Sequence, residues 1–491
     1  MIDFFVEVDG IKISSIVDIR FHKGINEHGN ATVKCIVEED IAESVLKSSS
    51  DVAWMAIRIG EESTGSADTP VFSGIISDVR ISNVRGVVEL EINLVGGSIL
   101  MDLQPVTRTY QEDDSKFSEV VSYMEKKYKS SKIMLNFGKG CKEQFKPEND
   151  FLVQYNETDY TFLRRCASMQ GFPLITTING TDADGINIDI GLMKNGGGNK
   201  IETKFYKRGK NLLEYINAKK LGVESIKEDD FEIIEVSSRD YFDIGEKVTI
   251  DGKQLYVYSV DAVYDSSKNR TEGLSNVNKD EFWHTYILAE DKKFTEPMIY
   301  NYDMVGASLS AKVKKVEKDK VQIDTDIDVE NDTKSKDYIK FPYSTVYSTN
   351  DGTGWYCMPE EGDAVRLYLP SEHEKDAYVI SAIHLKEGSG MRDDPDKKFI
   401  MNKYKKMVEF NKESIVITNN DGMEIKLDDK KGISIVSNKD INIDADKEIN
   451  IISKKDEVNI SGKSSVMLKQ GPSAYLELKG KATIKATSVH M

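Results

Sequence analysis

The histidines of this 491-residue chain, which could support metal or acid–base chemistry, are few and lie far apart. The six histidines are His22, His28, His284, His373, His384 and His490. Their spacing contains neither an HExxH motif nor the close His pairs of a zinc site. His28 falls in a turn before a predicted strand, where we expect a hydrogen-bonded structural role. The histidines therefore indicate no metal or catalytic site.

Acidic residues are abundant, but their spacing defines neither a calcium loop nor a hydrolase. The Asp-x-Asp-x-Asp run at 324–328 begins like an EF-hand loop, yet Val329 and Ser335 stand where Gly and Glu are required. Pairs such as Glu360/Glu361 are expected in a chain with 83 Asp and Glu. Glycoside hydrolysis needs two carboxylates that flank a cleft, which adjacency does not provide. We therefore interpret these residues as solvated surfaces.

The cysteine and glycine patterns also lack the features of cofactor sites. Cys35, Cys141, Cys166 and Cys357 are scattered and form no CxxC motif, which is typical of reduced, mostly buried thiols. The loop NGGGNK at 195–200 lacks the Lys–Ser/Thr of a phosphate loop and does not lead from a strand into a helix. The sequence thus predicts no catalytic residue, no cofactor and no metal.

Composition excludes several functional classes. The 66 Lys and Arg against 83 Asp and Glu give a formal charge of −17, which disfavours broad affinity for nucleic acids or anionic membranes. The N-terminal sequence MIDFFVEVDGIKI lacks the basic and long apolar regions of a secretory signal. We expect a protein of two to four domains that is made in the cytoplasm without a signal peptide.

The most regular pattern in the chain is a series of aliphatic pairs near the C-terminus, mostly spaced eight to ten residues apart. The nine pairs are Ile415/Ile417, Met423/Ile425, Ile433/Ile435, Ile441/Ile443, Ile449/Ile451, Val458/Ile460, Val466/Leu468, Leu476/Leu478 and Ala482/Ile484. This spacing predicts one short strand and one turn per repeat, with one apolar face.

A repeat this short cannot enclose its own aliphatic side chains, because a single-chain solenoid needs roughly twenty residues or more per coil. Other copies of the chain must close the structure, so we predict a homotrimeric, triple-stranded β-helix or prism on the order of 40 Å long. An ordinary β-sandwich is the structural alternative. The predicted trimer core comprises Ile415, Ile433, Ile435, Ile441, Ile443, Ile449, Ile451, Val458, Ile460, Val466 and Leu468.

The remaining sequence is strand-rich, so the predicted fold class is mainly β. Residues 1–300 alternate in two β-rich blocks that predict two β-barrels, separated by an α/β insert near 106–200. Within the insert, helices are expected over 117–128 and 159–170, the second capped by Asn156 and ended by Gly171. Five short strands over 301–386 suggest an OB-fold-like domain. A charged linker over 387–401 then precedes the spike repeats at 402–491.

Several of these segments resemble the VgrG family of type VI secretion spikes, which is similar to the hub and spike of contractile phage tails. The segments are VFSGIISDVRI at 71–81, LVGGSILMDLQPVTRTYQ at 94–111, QYNETDYTFLRRCASMQGFPL at 154–174, GWYCMPEEGDAVRLYLP at 354–370 and the C-terminal repeats. The resemblance implies packing roles, not catalytic ones, for Gln154, Glu157, Phe162, Gly171, Trp355, Pro359, Gly362 and Val365.

The resemblance implies a trimeric baseplate hub and spike that caps an inner tube and punctures a target envelope. The expected partners are the tube protein, baseplate components, a separate PAAR-type tip at the C-terminal end, and effectors. Assembly in the cytoplasm and release on contraction would follow. A type VI system, a contractile bacteriocin, a phage tail and another extracellular injector fit equally well.

Two rival functions come from other classes. A tail-fibre-like, glycan-binding adhesin should expose aromatic sugar platforms on its shaft, whereas 402–491 contains only Tyr404, Phe410 and Tyr475 as aromatic residues. A β-helical polysaccharide-degrading enzyme needs longer coils to build a groove. The sequence therefore favours a structural protein without enzymatic activity.

Overall fold

The computed structural model of the chain divides into two compact units, Met1–Leu385 and Lys386–Met491. The structure describes residues 2–8, 11–13, 15–48, 52–61, 69–111, 117–146, 151–179, 185–193, 198–203, 205–265, 282–328, 338–385, 390, 392–478 and 480.

The first unit contains 23 labelled strands and four helices among the described residues. The strands are β1 (Ile2–Val8), β2 (Ile11–Ile13), β3 (Ile16–Gly24), β4 (Asn30–Val37), β5 (Trp54–Glu61), β6 (Thr69–Val84), β7 (Val87–Gly96), β8 (Val106–Tyr110), β9 (Ile133–Phe137), β10 (Leu152–Glu157), β11 (Leu174–Ile178), β12 (Ile186–Ile190), β13 (Asn199–Lys200), β14 (Tyr206–Lys210), β15 (Glu232–Ser238), β16 (Lys247–Ile250), β17 (Lys253–Asp265), β18 (Trp283–Ala289), β19 (Ser308–Glu317), β20 (Lys320–Thr325), β21 (Lys340–Pro342), β22 (Ala364–Tyr368) and β23 (Tyr378–Ile383). The helices are α1 (Glu39–Ser48), α2 (Phe117–Tyr128), α3 (Asp159–Ser168) and α4 (Leu212–Lys220).

One 13-stranded sheet dominates the first unit, and its main path runs β14-β15-β18-β17-β3-β4-β7-β6-β5-β1-β2. The antiparallel pair β3 and β17 joins the two β-rich blocks, from Gly24 opposite Ser259 to Asp18 opposite Asp265. Strands of both blocks contribute to one hydrophobic core. Among the described strands neither block closes into a barrel of its own, so the two predicted barrels remain a prediction.

The α/β insert packs α2 and α3 against a three-stranded sheet of order β11-β12-β9, in which β12 and β9 run parallel. The predicted helix boundaries need one correction. Thr158, not Asn156, caps α3, because its hydroxyl accepts a hydrogen bond from the Thr161 amide at 3.2 Å. Asn156 instead has a positive φ of 50°, and Gly171 follows the helix at φ 79°, as expected.

The segment that follows the hub forms a five-stranded sheet of order β21-β20-β19-β22-β23. Alternate residues of β19, β20 and β22 are buried, which is the pattern of a strand with one core-facing side. An isolated bridge between Tyr343 and Val379 connects the two edge strands of this sheet, because Tyr343 directly follows β21 and Val379 lies in β23. This topology is compatible with the predicted OB-like barrel.

The second unit consists of two sheets and an intervening segment. Its strands are β24 (Lys398–Met401), β25 (Met407–Asn411), β26 (Ser414–Thr418), β27 (Met423–Asp428), β28 (Gly432–Ser437), β29 (Val466–Gln470) and β30 (Ala474–Leu478). Strands β24 to β28 form an antiparallel meander, and β29 and β30 form a hairpin. Residues 438–465, all of which are described, contain no strand.

Some predicted features lie outside the described residues. They are residues 195–197 of the glycine loop, Val329, Ser335, the pair Ala482/Ile484 and His490. None of the helices in the described ranges has both the length and the hydropathy that crossing a membrane requires.

Gly96, at the end of β7, provides a test of the hub packing. A Cβ at this position would lie 1.6 Å from the His28 carbonyl oxygen, which belongs to the backbone and cannot move aside. We expect Gly96→Ala to lower the free energy of unfolding by at least about 2 kcal/mol, measured by urea denaturation. Gly209→Ala in β14 is the control, since its nearest atom would lie at 3.7 Å. Equal stabilities of the two variants would contradict this packing.

Candidate functional site

The family-motif residue Gln154 is buried in β10 and contacts a buried carboxylate, that of Asp159 at the start of α3. The Gln154 amide nitrogen Nε2 donates to Asp159 Oδ1 at 2.9 Å and to the Glu157 carbonyl oxygen at 3.0 Å. Arg108 Nη1 also donates to Asp159 Oδ1, at 2.7 Å. Gln154 therefore fixes the turn between β10 and α3.

The second carboxylate oxygen of Asp159, Oδ2, also accepts two hydrogen bonds. Lys127 Nζ and the Tyr128 hydroxyl both donate to Oδ2, the latter at 2.7 Å. Burial by itself raises the pKa of the Asp159 carboxyl, but the hydrogen bonds that it receives, led by the one from Lys127, outweigh this effect and hold the pKa below its ordinary value. Asp159 thus acts as an ionised structural anchor between α2, α3 and β8.

The motif residue Glu157 forms a bidentate ion pair with Arg165, which lies two turns along α3. Arg165 Nε and Nη2 donate to the two Glu157 carboxylate oxygens, each at 2.9 Å. Arg165 Nη2 also donates to the Val153 carbonyl oxygen at 2.6 Å. Only 2% of the Arg165 side chain is exposed, so the guanidinium depends on these partners for its solvation.

A second carboxylate reaches Arg165 from the OB-like segment. Arg165 Nη1 donates to Glu374 Oε1 at 2.7 Å, across 209 residues of sequence. Burial disfavours the charged guanidinium, but the Glu374 and Glu157 charges outweigh burial and raise the pKa of Arg165. This ion pair connects α3 of the insert to the turn before β23.

Strand β10 also connects the insert to the OB-like segment by side-chain packing. Its residue Leu152 lies in the core of the insert, whereas the flanking Phe151 and Val153 lie in the core of the OB-like sheet. The ring centroids of Phe151 and Phe341 are 5.0 Å apart. One stretch of chain therefore contributes side chains to both cores and connects them.

Two other motif residues support α3. Phe162 is fully buried and stacks on Tyr110, with ring centroids 5.4 Å apart. The Arg165 guanidinium carbon lies 5.2 Å from the centroid of the Phe162 ring. The Gly171 carbonyl oxygen accepts a hydrogen bond from the Glu296 amide at 3.0 Å.

The motif residues of the OB-like segment differ in their environments. Pro359 and Val365 are buried, and Gly362 adopts a φ of 90° in the turn between them. Trp355, in contrast, is 56% exposed. Pro359 and Val365 thus have the surroundings of packing residues, whereas Gly362 is exposed and serves the turn through its positive φ, and Trp355 does not pack in the single chain.

In the second unit, the meander β24–β28 presents a continuous apolar face. Cross-strand register aligns the pairs Val408–Ile417, Ile417–Ile425 and Ile425–Ile435 in one row, and the pairs Phe410–Ile415, Ile415–Leu427 and Leu427–Ile433 in a second row. Residues that pair directly in this way lie on the same side of a sheet. Both rows lie on one side, since positions within each strand differ by two.

The predicted trimer-core residues are exposed in the single chain. The exposed fraction is 38% for Ile415 and rises to 74% for Ile433. The same range covers Ile435, Ile441, Ile443, Ile449, Ile451, Val458, Ile460 and Leu468, while Val466 is half-buried. These residues thus form an unburied aliphatic surface, which is unusual for a stable isolated domain.

Histidines occupy structural positions in the hub. His28 Nδ1 lies 2.8 Å from Ser98 Oγ and Nε2 lies 3.0 Å from Asp102 Oδ2, in agreement with the expected structural role. Within the described part of the chain, no group of three His, Cys, Asp or Glu side chains has an arrangement that could hold a metal ion.

Comparison with known proteins gives structural matches only. No protein-family model matches the sequence, and the search of curated proteins finds no match. One similar structure is the E. coli c3393 protein, described as a type VI secretion component with structural similarity to the T4 tail proteins gp27 and gp5. It is 11% identical, with a TM-score of 0.50, covering 77% of this chain and 99% of that one.

The Francisella PdpA–VgrG complex gives further matches. In its lidded form the matched chain is 11% identical with a TM-score of 0.56, covering 89% of this chain and 80% of that one. In its lidless form the identity is again 11%, the TM-score is 0.54, and the coverage is 89% and 98%.

These neighbours define the class of the fold as that of tail-type hub and spike proteins. Within this class the fold is VgrG-like, as the sequence motifs indicate. At such low identity the similarity concerns the fold alone.

Sequence reasoning identified Gln154 and Glu157 but missed their partners. Arg108 and Lys127 are basic residues among many, and nothing local distinguishes them. Arg165 lies within the quoted motif, where an arginine on the buried face of a predicted helix could have been noticed. Glu374 could not have been paired with Arg165, because only the tertiary fold brings these distant positions together.

Removal of the Glu374 charge should destabilise the first unit. We expect Glu374→Gln to lower the free energy of unfolding by about 2–4 kcal/mol, because it leaves the buried Arg165 charge partly uncompensated. The measurement is urea denaturation followed by circular dichroism.

Glu372→Gln is the matched control for this variant. Glu372 lies in the same turn with its side chain 34% exposed, and its carboxylate is 3.9 Å from His373. A change of less than about 0.5 kcal/mol is expected for the control. If both variants were as stable as the parent, the junction would not depend on the Arg165 ion pairs.

The ionised state of Asp159 predicts a pH dependence. The pKa of Asp159 is lower in the folded protein than in the unfolded chain. Its carboxylate therefore stabilises the fold above the ordinary carboxyl pKa of about 4, and this stabilisation is lost as the pH falls through the pKa of the folded protein. Asp159→Asn should therefore cost about 1–3 kcal/mol at pH 7 and less at pH 3, by urea denaturation at both values. The exposed Asp291→Asn is the control. A pH-independent difference would contradict the assignment.

Proposed function

We propose that this chain is the trimeric hub and spike of a contractile injection system, which caps the inner tube and punctures a target envelope. The observation that carries the proposal is the unburied aliphatic surface of the second unit, in a chain whose fold is VgrG-like. Its predicted domains are the hub over 1–300, the OB-like domain over 301–386, the linker over 387–401 and the spike over 402–491.

Burial of this surface requires other copies of the chain. The inner strands β25, β26 and β27 of the meander pair on both edges within the chain, so their apolar face is left to pack by side chains. Each aliphatic side chain taken from water to a core contributes about 1.5–3 kcal/mol. Three meanders that packed face to face would therefore gain a large stabilisation from one repeated surface.

The segment 438–465 needs copies for a second reason. It carries the pairs Ile441/Ile443, Ile449/Ile451 and Val458/Ile460, yet forms no strand with the chain itself. An extended segment satisfies its backbone groups either with water or with another strand, and only strand pairing also buries the aliphatic side chains. Interchain ladders in a triple-stranded β-helix would meet both requirements.

The first unit has the rigidity that force transmission needs. The shared strand β10 and the Arg165–Glu374 ion pair tie the OB-like sheet to the hub insert. An axial force from the tube would therefore act on the hub insert and the OB-like sheet together. The function is mechanical, and we propose no enzymatic activity for this chain.

The proposed partners are two further copies, the inner tube protein, baseplate components, a PAAR-type tip at the C-terminal end, and effectors. The chain would be assembled in the cytoplasm and released on contraction. A type VI system, a contractile bacteriocin, a phage tail and another extracellular injector remain alternative settings. The Francisella structures contain VgrG together with PdpA, which supports the expectation that such a hub carries further proteins.

Solution mass and one charge substitution test this proposal. The full chain should scatter light as a trimer of about 166 kDa, three times 55.3 kDa. Ile443→Asp would place three unpaired charges in the dry core, at several kcal/mol per charge. We expect this variant to lose the trimer or to melt at a clearly lower temperature.

Asn442→Asp is the matched control, because it adds the same charge one residue earlier, on the opposite side of an extended chain. The control should remain a trimer with a melting temperature close to that of the parent. A monomeric parent, or an Ile443→Asp variant indistinguishable from Asn442→Asp, would disprove the spike model.

A further inference from the structure

Residues 344–356 of the OB-like segment form a hairpin that the proposed function does not use. An isolated bridge joins Ser348 to Gly354, and the Trp355 amide donates to the Tyr347 carbonyl oxygen at 2.8 Å. Gly354 has a φ of 142°, and a Cβ there would lie 2.3 Å from the Tyr347 carbonyl oxygen. The two arms are thus held in close contact.

The turn and the base of this aromatic hairpin are also held by hydrogen bonds. Asp351 Oδ1 accepts from the Thr353 amide at 3.1 Å and from the Thr353 hydroxyl at 2.8 Å. The Tyr356 hydroxyl donates to the Lys318 carbonyl oxygen at 2.6 Å, which attaches the hairpin to the β19–β20 turn. The hairpin is therefore an ordered element of the surface.

This ordered element presents large apolar side chains to solvent. Val346 is 87% exposed, Tyr347 55%, Trp355 56% and Tyr356 75%. Side chains of this kind contribute most of the energy at protein interfaces. Because the hairpin is already ordered, binding of a partner would not have to offset the entropy cost of ordering it.

The size of the surface indicates what kind of partner it fits. The exposed parts of these three aromatic side chains and one valine add up to on the order of 500 Å², which is the upper limit of what the hairpin can offer to one partner. A stable interface between freely diffusing proteins buries about 800 Å² on each partner. The hairpin is therefore too small to hold an independent protein and suits a partner that is already tethered nearby.

In the proposed trimer, such a tethered partner is a neighbouring copy. Lys398, the first residue of the meander, follows Leu385 by 13 residues, which span at most about 45 Å. Three chains joined through their spikes would hold their OB-like segments at effective concentrations in the millimolar range.

The same segment offers a second apolar surface that could receive the hairpin. Tyr302 is 67% exposed and Val305 45%, just before β19. The hairpin lies near the opposite end of β19, where Tyr356 is bonded to the β19–β20 turn. The two apolar surfaces are therefore at different ends of this strand. A three-fold ring requires two different, complementary surfaces on each subunit, because its contacts are heterologous.

From these observations we infer that the aromatic hairpin of one copy packs on the OB-like segment of the next copy in the proposed trimer. This inference rests on the proposed trimer and adds a contact that the spike repeats do not supply. In this contact Trp355 would be buried against the next copy and would have the packing role that it lacks in the single chain.

Cys357, next to the hairpin, reports on this contact. It is exposed in the single chain, Cys35 and Cys166 are buried, and Cys141 is half-buried. The parent protein for the test is the full chain carrying Cys141→Ser. We measure how fast a polymer-linked maleimide labels Cys357 in this protein, and light scattering gives the mass of the same sample. The comparison variant adds Tyr347→Ser and Trp355→Ser, both at exposed positions.

We expect both proteins to be trimers, with Cys357 labelled at least about tenfold more slowly in the parent than in the variant. Two trimers with equally fast labelling would show that the hairpin faces solvent, which overturns the inference and leaves the spike model intact. Slow labelling in both would place the protection elsewhere and also overturn it. A monomeric parent would remove the proposed function and this inference together.

Discussion

The buried guanidinium of Arg165 is the interaction on which the architecture of the first unit depends. A charge with 2% of its side chain exposed is stable only with partners, and these come from Glu157 in the family motif and Glu374 in the OB-like segment. Such an ion pair adds little net stability compared with an apolar packing, but it strongly penalises any arrangement that separates its members. It therefore specifies how the OB-like sheet sits on the hub insert.

Strand β10 provides the apolar counterpart of this constraint. Because successive side chains of a strand point to opposite sides, Leu152 enters one core while Phe151 and Val153 enter another. The strand consequently cannot be removed from one segment without opening the other.

The second unit differs, since its aliphatic residues stay exposed in the single chain and we propose that other copies cover them. The inner strands of the meander pair on both edges within the chain but leave their apolar face exposed, whereas the segment 438–465 forms no strand and leaves its aliphatic pairs exposed. These needs differ, so the two parts of the proposed spike would be stabilised by different forces, side-chain packing in the first and interchain hydrogen bonds in the second.

The sequence by itself determined the mainly β class, the α2 and α3 helices and the positive φ of Gly171, because periodicity and turn residues are local signals. The VgrG-like fold followed from the resemblance of several segments to a known family. It also marked Gln154 and Glu157. Only the tertiary structure decided that β3 pairs with β17, that Thr158 caps α3, and that Arg165 meets Glu374. Pairing between distant strands and charges depends on how the whole chain packs, and no local pattern encodes that.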